Sequence, residues 1–165
     1  MKIYEFYFDY ICPFCYRSFK ELLELYKQDS KFIIDLHPCE IQPRPEQHGR
    51  HSDLCIQGMF LAKDLSVDLW EYNKKIFDSH FIDRIDIEDI QQLAEALKDL
   101  INPYIFVQTI QSRKYSERLL KSNETAFITH KIEVVPHYIS GNDILPSIEG
   151  VGISNEKLKE YLLSK

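Results

Sequence analysis

The stretch from Lys2 to Asp9 (KIYEFYFD) sets aromatic and β-branched residues in the alternating pattern of a strand, and it runs through Tyr10-Ile11 straight into Cys12-Pro13. The period then changes. From Phe14 to Lys27 the apolar positions Cys15, Phe19, Leu22, Leu23 and Tyr26 recur at helical steps, which gives one buried stripe on a helix. Lys31 to Leu36 (KFIIDL) reads as a second strand. Strand, helix and strand in so short a span make a βαβ unit, and such a crossover makes its two strands parallel. The opening therefore restricts the chain to α/β architectures, and a pair of cysteines sits where the first strand hands over to the helix.

Beyond the second strand, His37 to Arg50 carries three prolines and a glycine and has no sustained period, so a loop is expected. The pattern is helical from there to Thr129. Ser66 is the expected cap of a helix carrying Leu69, Trp70, Asn73, Ile76 and Phe77, and Asp86 of one carrying Ile90, Leu93, Ala94, Leu97 and Leu100. Asn102-Pro103 ends the second of these and opens another, and Tyr115 to Thr129 reads as the last. Glu133 to Ile139 is β-rich, Ser140 to Asp143 has turn chemistry, and Ile144-Leu145 completes a hairpin. Ser154 is positioned to cap a closing helix striped by Leu158, Tyr161 and Leu162.

That order, β-α-β, helices, β-β-α, is the order of a thioredoxin-like fold with a helical domain inserted after the second strand. The expected division is 1–50 and 130–165 for the thioredoxin-like part and 51–129 for the insertion. A length of 165 residues with 44% hydrophobic content is enough for one sizeable core. A net charge of −6 without a dense basic cluster argues against a nucleic-acid partner. The acid-interrupted start is not the apolar stretch of a signal peptide, and no run is long enough to span a membrane, so the expected location is the cytoplasm. A monomer is the default expectation.

Four cysteines are too few for a disulfide scaffold, and in reducing surroundings a close pair is redox-active or metal-binding. With Cys12 as N-cap, Pro13 takes the first helical position, where its missing N–H is no loss. Backbone N–H groups near Phe14 and Cys15 can then donate to the Cys12 sulfur, and the helix macrodipole favours a thiolate there. Cys15, one turn on, is expected to be more buried, so that one sulfur attacks and the other resolves. The competing reading is half of a zinc site completed from His37, Cys39, His48, His51 and Cys55, but these form no second tight pair, and no metal or other cofactor is expected. Cys39 and Cys55 themselves read as small buried hydrophobes. Val135-Pro136, opening the later β-rich run, is the second element: a proline there removes a ladder donor and can be cis, against the duller reading of an edge-strand proline.

The segment Phe8-Asp9-Tyr10-Ile11-Cys12-Pro13-Phe14-Cys15-Tyr16 resembles the DsbA-like thioredoxin-fold oxidoreductases, and within them the Asp-x-x-Cys-Pro-Trp-Cys-Tyr signature of the cytoplasmic FrnE-type branch. His37 to Pro43 and Val135-Pro136 with the glycines Gly141 and Gly150 extend the likeness. The resemblance implies disulfide exchange with protein or small-molecule thiols, glutathione among them. It also implies Cys12 as nucleophile, Cys15 as resolving thiol and Pro136 as the cis-proline, with Pro13, Phe14, Val135, Pro136 and His137 lining the substrate groove. Glu5 matches an acid of the preceding strand and is the candidate acceptor of the Cys15 proton, with a solvated strand acid as the alternative. Phe14 departs from the usual Trp, and the cationic His of the periplasmic oxidants is absent, so a less oxidising couple is expected. Val134 and His137 depart from the pattern beside the proline; His137 either approaches Cys12 or is a solvated groove residue.

The same fold hosts kappa-class glutathione transferases and hydroxychromene carboxylate isomerases, which generally carry Ser at the first Cys position and lack the second Cys. A partner-binding module with an aromatic groove around Tyr10, Phe14 and Tyr138 is a third reading, but it leaves the Cys pair without a role.

Overall fold

A computed structural model describes residues 1–28 and 31–163. Strand β1 (Lys2–Phe8) leads into helix α1 (Pro13–Gln28), and β2 (Phe32–Pro38) returns parallel to β1 with Lys2 opposite Phe32 and Phe8 opposite Pro38. The hairpin β3 (His137–Ser140) and β4 (Asp143–Leu145) lies antiparallel on the other side of β1, giving the strand order β2-β1-β3-β4. Gly141 turns this hairpin with a φ of 60°, a conformation that costs a residue without Cβ little. Helix α7 (Asn155–Leu163) closes the chain and packs beside α1, with Ser154 Oγ accepting from the Lys157 N–H at 3.2 Å as its cap.

The pleat of β1 sorts its side chains into two sets. Phe6 stacks on Tyr138 at 4.7 Å between ring centres, and the Tyr138 hydroxyl shares a 2.7 Å hydrogen bond with Ser18 of α1. Tyr4 donates to the Tyr161 and Leu162 carbonyls of α7. The even-numbered residues of β1 thus face the two helices, which contribute Cys15, Phe19, Leu22, Leu25, Leu158 and Leu162 to the core. Glu5 and Tyr7 point to the opposite face, beside Asp35 and His37 of β2 and His137 of β3.

The chain divides into two compact units, one of residues 1–39 with 125–165 and one of residues 40–124. The loop from Glu40 to Arg50, expected with the thioredoxin-like part, belongs to the helical unit. Its charges explain that: Arg44 pairs with Asp53 and Glu88, and Arg50 with Asp86 and Glu88, all in the same unit. The helical unit contains α2 (Asp53–Asp64), α3 (Leu69–Phe81), α4 (Ile90–Ala96), α5 (Pro103–Gln111) and α6 (Ser116–Glu124). A π-helical turn over Thr125–Thr129 follows α6 and opens the return to the first unit.

Two expected caps are displaced. Asp68, not Ser66, accepts from the Trp70 and Glu71 N–H groups at the start of α3, while Ser66 takes a φ of 59° just past the end of α2. Asp89, not Asp86, caps α4, and Asp86 instead accepts from the Glu88 N–H in a turn of its own. In both places a carboxylate directly before the first helical residue reaches the free N–H groups, which the earlier residue cannot. Among the described residues no helix is long and apolar enough to cross a membrane.

Candidate functional site

Cys12 lies at the exit of β1, where its N–H donates to the Asp9 carbonyl at 3.2 Å, and its carbonyl accepts the Tyr16 N–H at 3.1 Å in the first turn of α1. Pro13 follows at the first helical position and is exposed. The Cys15 N–H donates to the Cys12 sulfur at 3.3 Å, so this thiol does for the helix end what a serine or aspartate does elsewhere. The two cysteines are unpaired thiols, Cys12 7% exposed and Cys15 not at all.

Their environments push the two thiols apart. The hydrogen bond from the Cys15 thiol holds Cys12 below the ordinary thiol value, against the effect of its burial; the N–H groups of Cys15 and Phe14 act in the same sense, and the charge of Asp9 opposes them. Burial drives Cys15 well above that value, helped by its bond to Cys12 and by the negative charges of Cys12 and Asp9. The arrangement supports one nucleophilic thiolate and one protonated thiol held in reserve.

The second expected element meets the first. The Val135–Pro136 peptide is cis, both residues are buried, and the Cys12 thiol lies 3.8 Å from the Val135 carbonyl oxygen. Ser147 Oγ donates to the Pro136 carbonyl at 2.5 Å and ties this turn to the segment after β4. Gly152, with a φ of 82°, lies against Phe14: a Cβ there would come within 2.9 Å of the Phe14 Cβ. Arg17 stacks over the Phe14 ring at 5.5 Å and donates to the carbonyls of Val151 and Ile153. Phe14 is therefore held half-buried against a fixed backbone wall.

Glu5 and His137 are not part of this cluster. Glu5 lies on the sheet face opposite α1, where it accepts from the Tyr7 hydroxyl at 3.1 Å and lies 3.7 Å from His37 Nε2. The acid whose charge raises both thiols is Asp9, which is fully buried and accepts from the Ile11 N–H at 3.3 Å. The signal for Asp9 lies within the motif itself, three residues before Cys12, whereas the alternation of β1 puts Glu5 on the other face. His137 lies opposite Tyr7 in the sheet, and burial, then His130, push its imidazole pKa down.

The zinc alternative does not assemble either. Cys39 donates its thiol to the Phe8 carbonyl at 3.5 Å, His51 bonds Glu88 and the Glu46 carbonyl, and Cys55 is buried within α2. Among the described residues the one group of three metal-ligating side chains is Glu5, Asp35 and His37, which contains no cysteine.

The chain is 22% identical over 189 residues to YwbO, an uncharacterised protein of Bacillus subtilis, with 93% of this chain and 94% of that protein covered. Its fold matches that of Chlamydia trachomatis DsbA at a TM-score of 0.74 and 16% identity, over 97% of this chain and 82% of that one. A thioredoxin-like oxidoreductase from Silicibacter pomeroyi superposes with a TM-score of 0.71 at 13% identity, over 97% and 83% of the two chains. Residues 4–162 match the family model of the DSBA-like thioredoxin domain, with the cysteine pair at the head of α1 inside the matched span, and the protein belongs to that family.

Proposed function

We propose that the protein is a thiol–disulfide oxidoreductase whose reactive centre is Cys12 with Cys15. The observation that carries this reading is the Cys12 sulfur itself: it takes a hydrogen bond from the Cys15 N–H and sits beside the cis Val135–Pro136 turn. Its mate is buried one turn behind it. The Cys12 thiolate attacks one sulfur of a substrate disulfide, forming a mixed disulfide and releasing the other sulfur as a thiolate. Cys15 then loses its proton, attacks the Cys12 sulfur, and expels the second substrate thiolate. The protein is left oxidised and the substrate reduced by the same two electrons.

In the opposite direction the oxidised pair accepts electrons from a dithiol. Asp9, fully buried and raising both thiols by its charge, is the group we assign to receive the Cys15 proton. The Val135 backbone, Pro136 and the Phe14 ring would hold an extended substrate next to Cys12. Protein disulfides and small thiols such as glutathione are the substrate classes this centre would serve.

The test is reduction of insulin disulfides by dithiothreitol in the presence of the purified protein. Cys12→Ser is expected to abolish the acceleration, and Cys15→Ser to accumulate a mixed disulfide on Cys12. Undiminished turnover by Cys12→Ser would falsify the proposal.

A further inference from the structure

On the sheet face turned away from α1, Glu5 and Asp35 stand directly opposite one another on the parallel strands β1 and β2, as do Tyr7 and His37 two residues on. Residues two apart on a strand share a face, so these four side chains form the corners of one square. His37 Nε2 lies 2.9 Å from Asp35 Oδ2 and 3.7 Å from Glu5 Oε1, and one donor atom from each of Glu5, Asp35 and His37 falls within 4.8 Å of the other two.

Facing carboxylates repel across a strand pair. The imidazole between them is a poor remedy, because Nε2 carries either one hydrogen or one lone pair and cannot serve both acids at once. A cation placed among the three atoms takes a lone pair from each. For ligands bound at about 2.0–2.1 Å in tetrahedral geometry, donor atoms are separated by about 3.3 Å, and the two observed separations bracket that figure. Two carboxylates also neutralise a dication, and the imidazole favours zinc over calcium or magnesium, which prefer oxygen throughout.

We propose that Glu5, Asp35 and His37 form a binding site for a divalent zinc-class ion, separate from the cysteine pair. The side chains are partly exposed, Asp35 most of all at 49%, so water completes the coordination. Tyr7 supplies the surrounding order: its hydroxyl donates to Glu5 Oε1 at 3.1 Å, and its ring stacks on the His37 imidazole at 4.7 Å with 26° between the planes. Neither contact depends on the reaction proposed for Cys12.

The experiment is a zinc titration of the metal-stripped full-length protein carrying Cys12→Ser and Cys15→Ser, so that those sulfurs cannot bind the ion. It is repeated with cobalt to read the donor atoms from the visible spectrum. One equivalent is expected to bind, with no thiolate-to-cobalt charge-transfer band. His37→Ala and the isosteric Asp35→Asn should each weaken affinity more than tenfold, and Tyr7→Phe about tenfold through loss of the bond that aims Glu5. Circular dichroism confirms that the variants are folded. Absence of binding, a thiolate band, or affinity unchanged in both His37→Ala and Asp35→Asn overturns the proposal, and none of these results touches the insulin assay.

Discussion

At Cys12 hydrogen bonds from the Cys15 thiol and from the N–H groups of Cys15 and Phe14 favour the thiolate, with burial and the charge of Asp9 working against it. Both halves of that balance can be shifted. Phe14→His would put a cation where the apolar ring now lies, lowering the Cys12 pKa further. Each unit of the fall corresponds to about 1.4 kcal/mol in favour of the thiolate, or about 30 mV toward a more oxidising couple. Thiolate absorbance against pH and a glutathione redox titration measure the two together. Asp9→Asn removes the negative charge that raises both thiols, so the Cys12 pKa should again fall. With the proposed proton acceptor gone, however, release from the mixed disulfide should slow; an Asn variant that resolves at the wild-type rate would leave Asp9 without that role.

Elements are positioned here by contacts that composition does not advertise. Gly58 lies within α2, where a Cβ would overlap the Tyr72 hydroxyl and come within 2.8 Å of the Phe106 ring, so α2, α3 and α5 meet on a missing side chain. Gly58→Ala gains up to about 1 kcal/mol of helix propensity but should still destabilise, because overpacking a fixed core costs about 1–3 kcal/mol. A urea midpoint equal to or above wild type would contradict that packing. His51, 7% exposed, joins the loop before α2 to Glu88 at 2.9 Å and to the Glu46 carbonyl at 2.6 Å. His51→Ala takes this donor from the Glu46 carbonyl and leaves Glu88 with Arg44 and Arg50 only, and it is expected to cost about 1–3 kcal/mol of unfolding free energy. The mutation should also raise the Glu88 pKa, which this partner now holds down in spite of burial.

Across the whole molecule, the cysteine pair should leave opposite marks on stability against pH when both thiols are reduced. Cys12 is depressed, so its contribution is complete above the ordinary thiol value near 8.5 and is lost as pH falls through its folded-state pKa. Cys15 is raised, so its contribution is complete below that value and is lost as pH rises beyond it. Unfolding free energies of the reduced protein should therefore flatten on the acid side in Cys12→Ser and on the alkaline side in Cys15→Ser. The slopes that disappear are at most about 1.4 kcal/mol per pH unit. Matching slopes in wild type and both variants would mean that the two sulfurs do not differ as their surroundings imply.

The first strand, the helix capped by Cys12, the second strand and the closing hairpin were legible in the chain because each depends on local chemistry: alternation, helical period, a proline at the first helical position, a glycine in a turn. Cys12 and Cys15 were legible for the same reason, since a single helical turn sets their spacing. What lay beyond local pattern was decided by register and packing. The pairing of β1 with β2 and β3 sent Glu5 and His137 to the face away from α1, while Asp9, buried just past the strand, is the acid whose charge raises both thiols. The caps at Asp68 and Asp89 and the membership of the Glu40–Arg50 loop were settled likewise by which partners came within reach. A residue's type and its near neighbours determine what it can do; which group it meets is a property of strand register, where a shift of one residue changes the face.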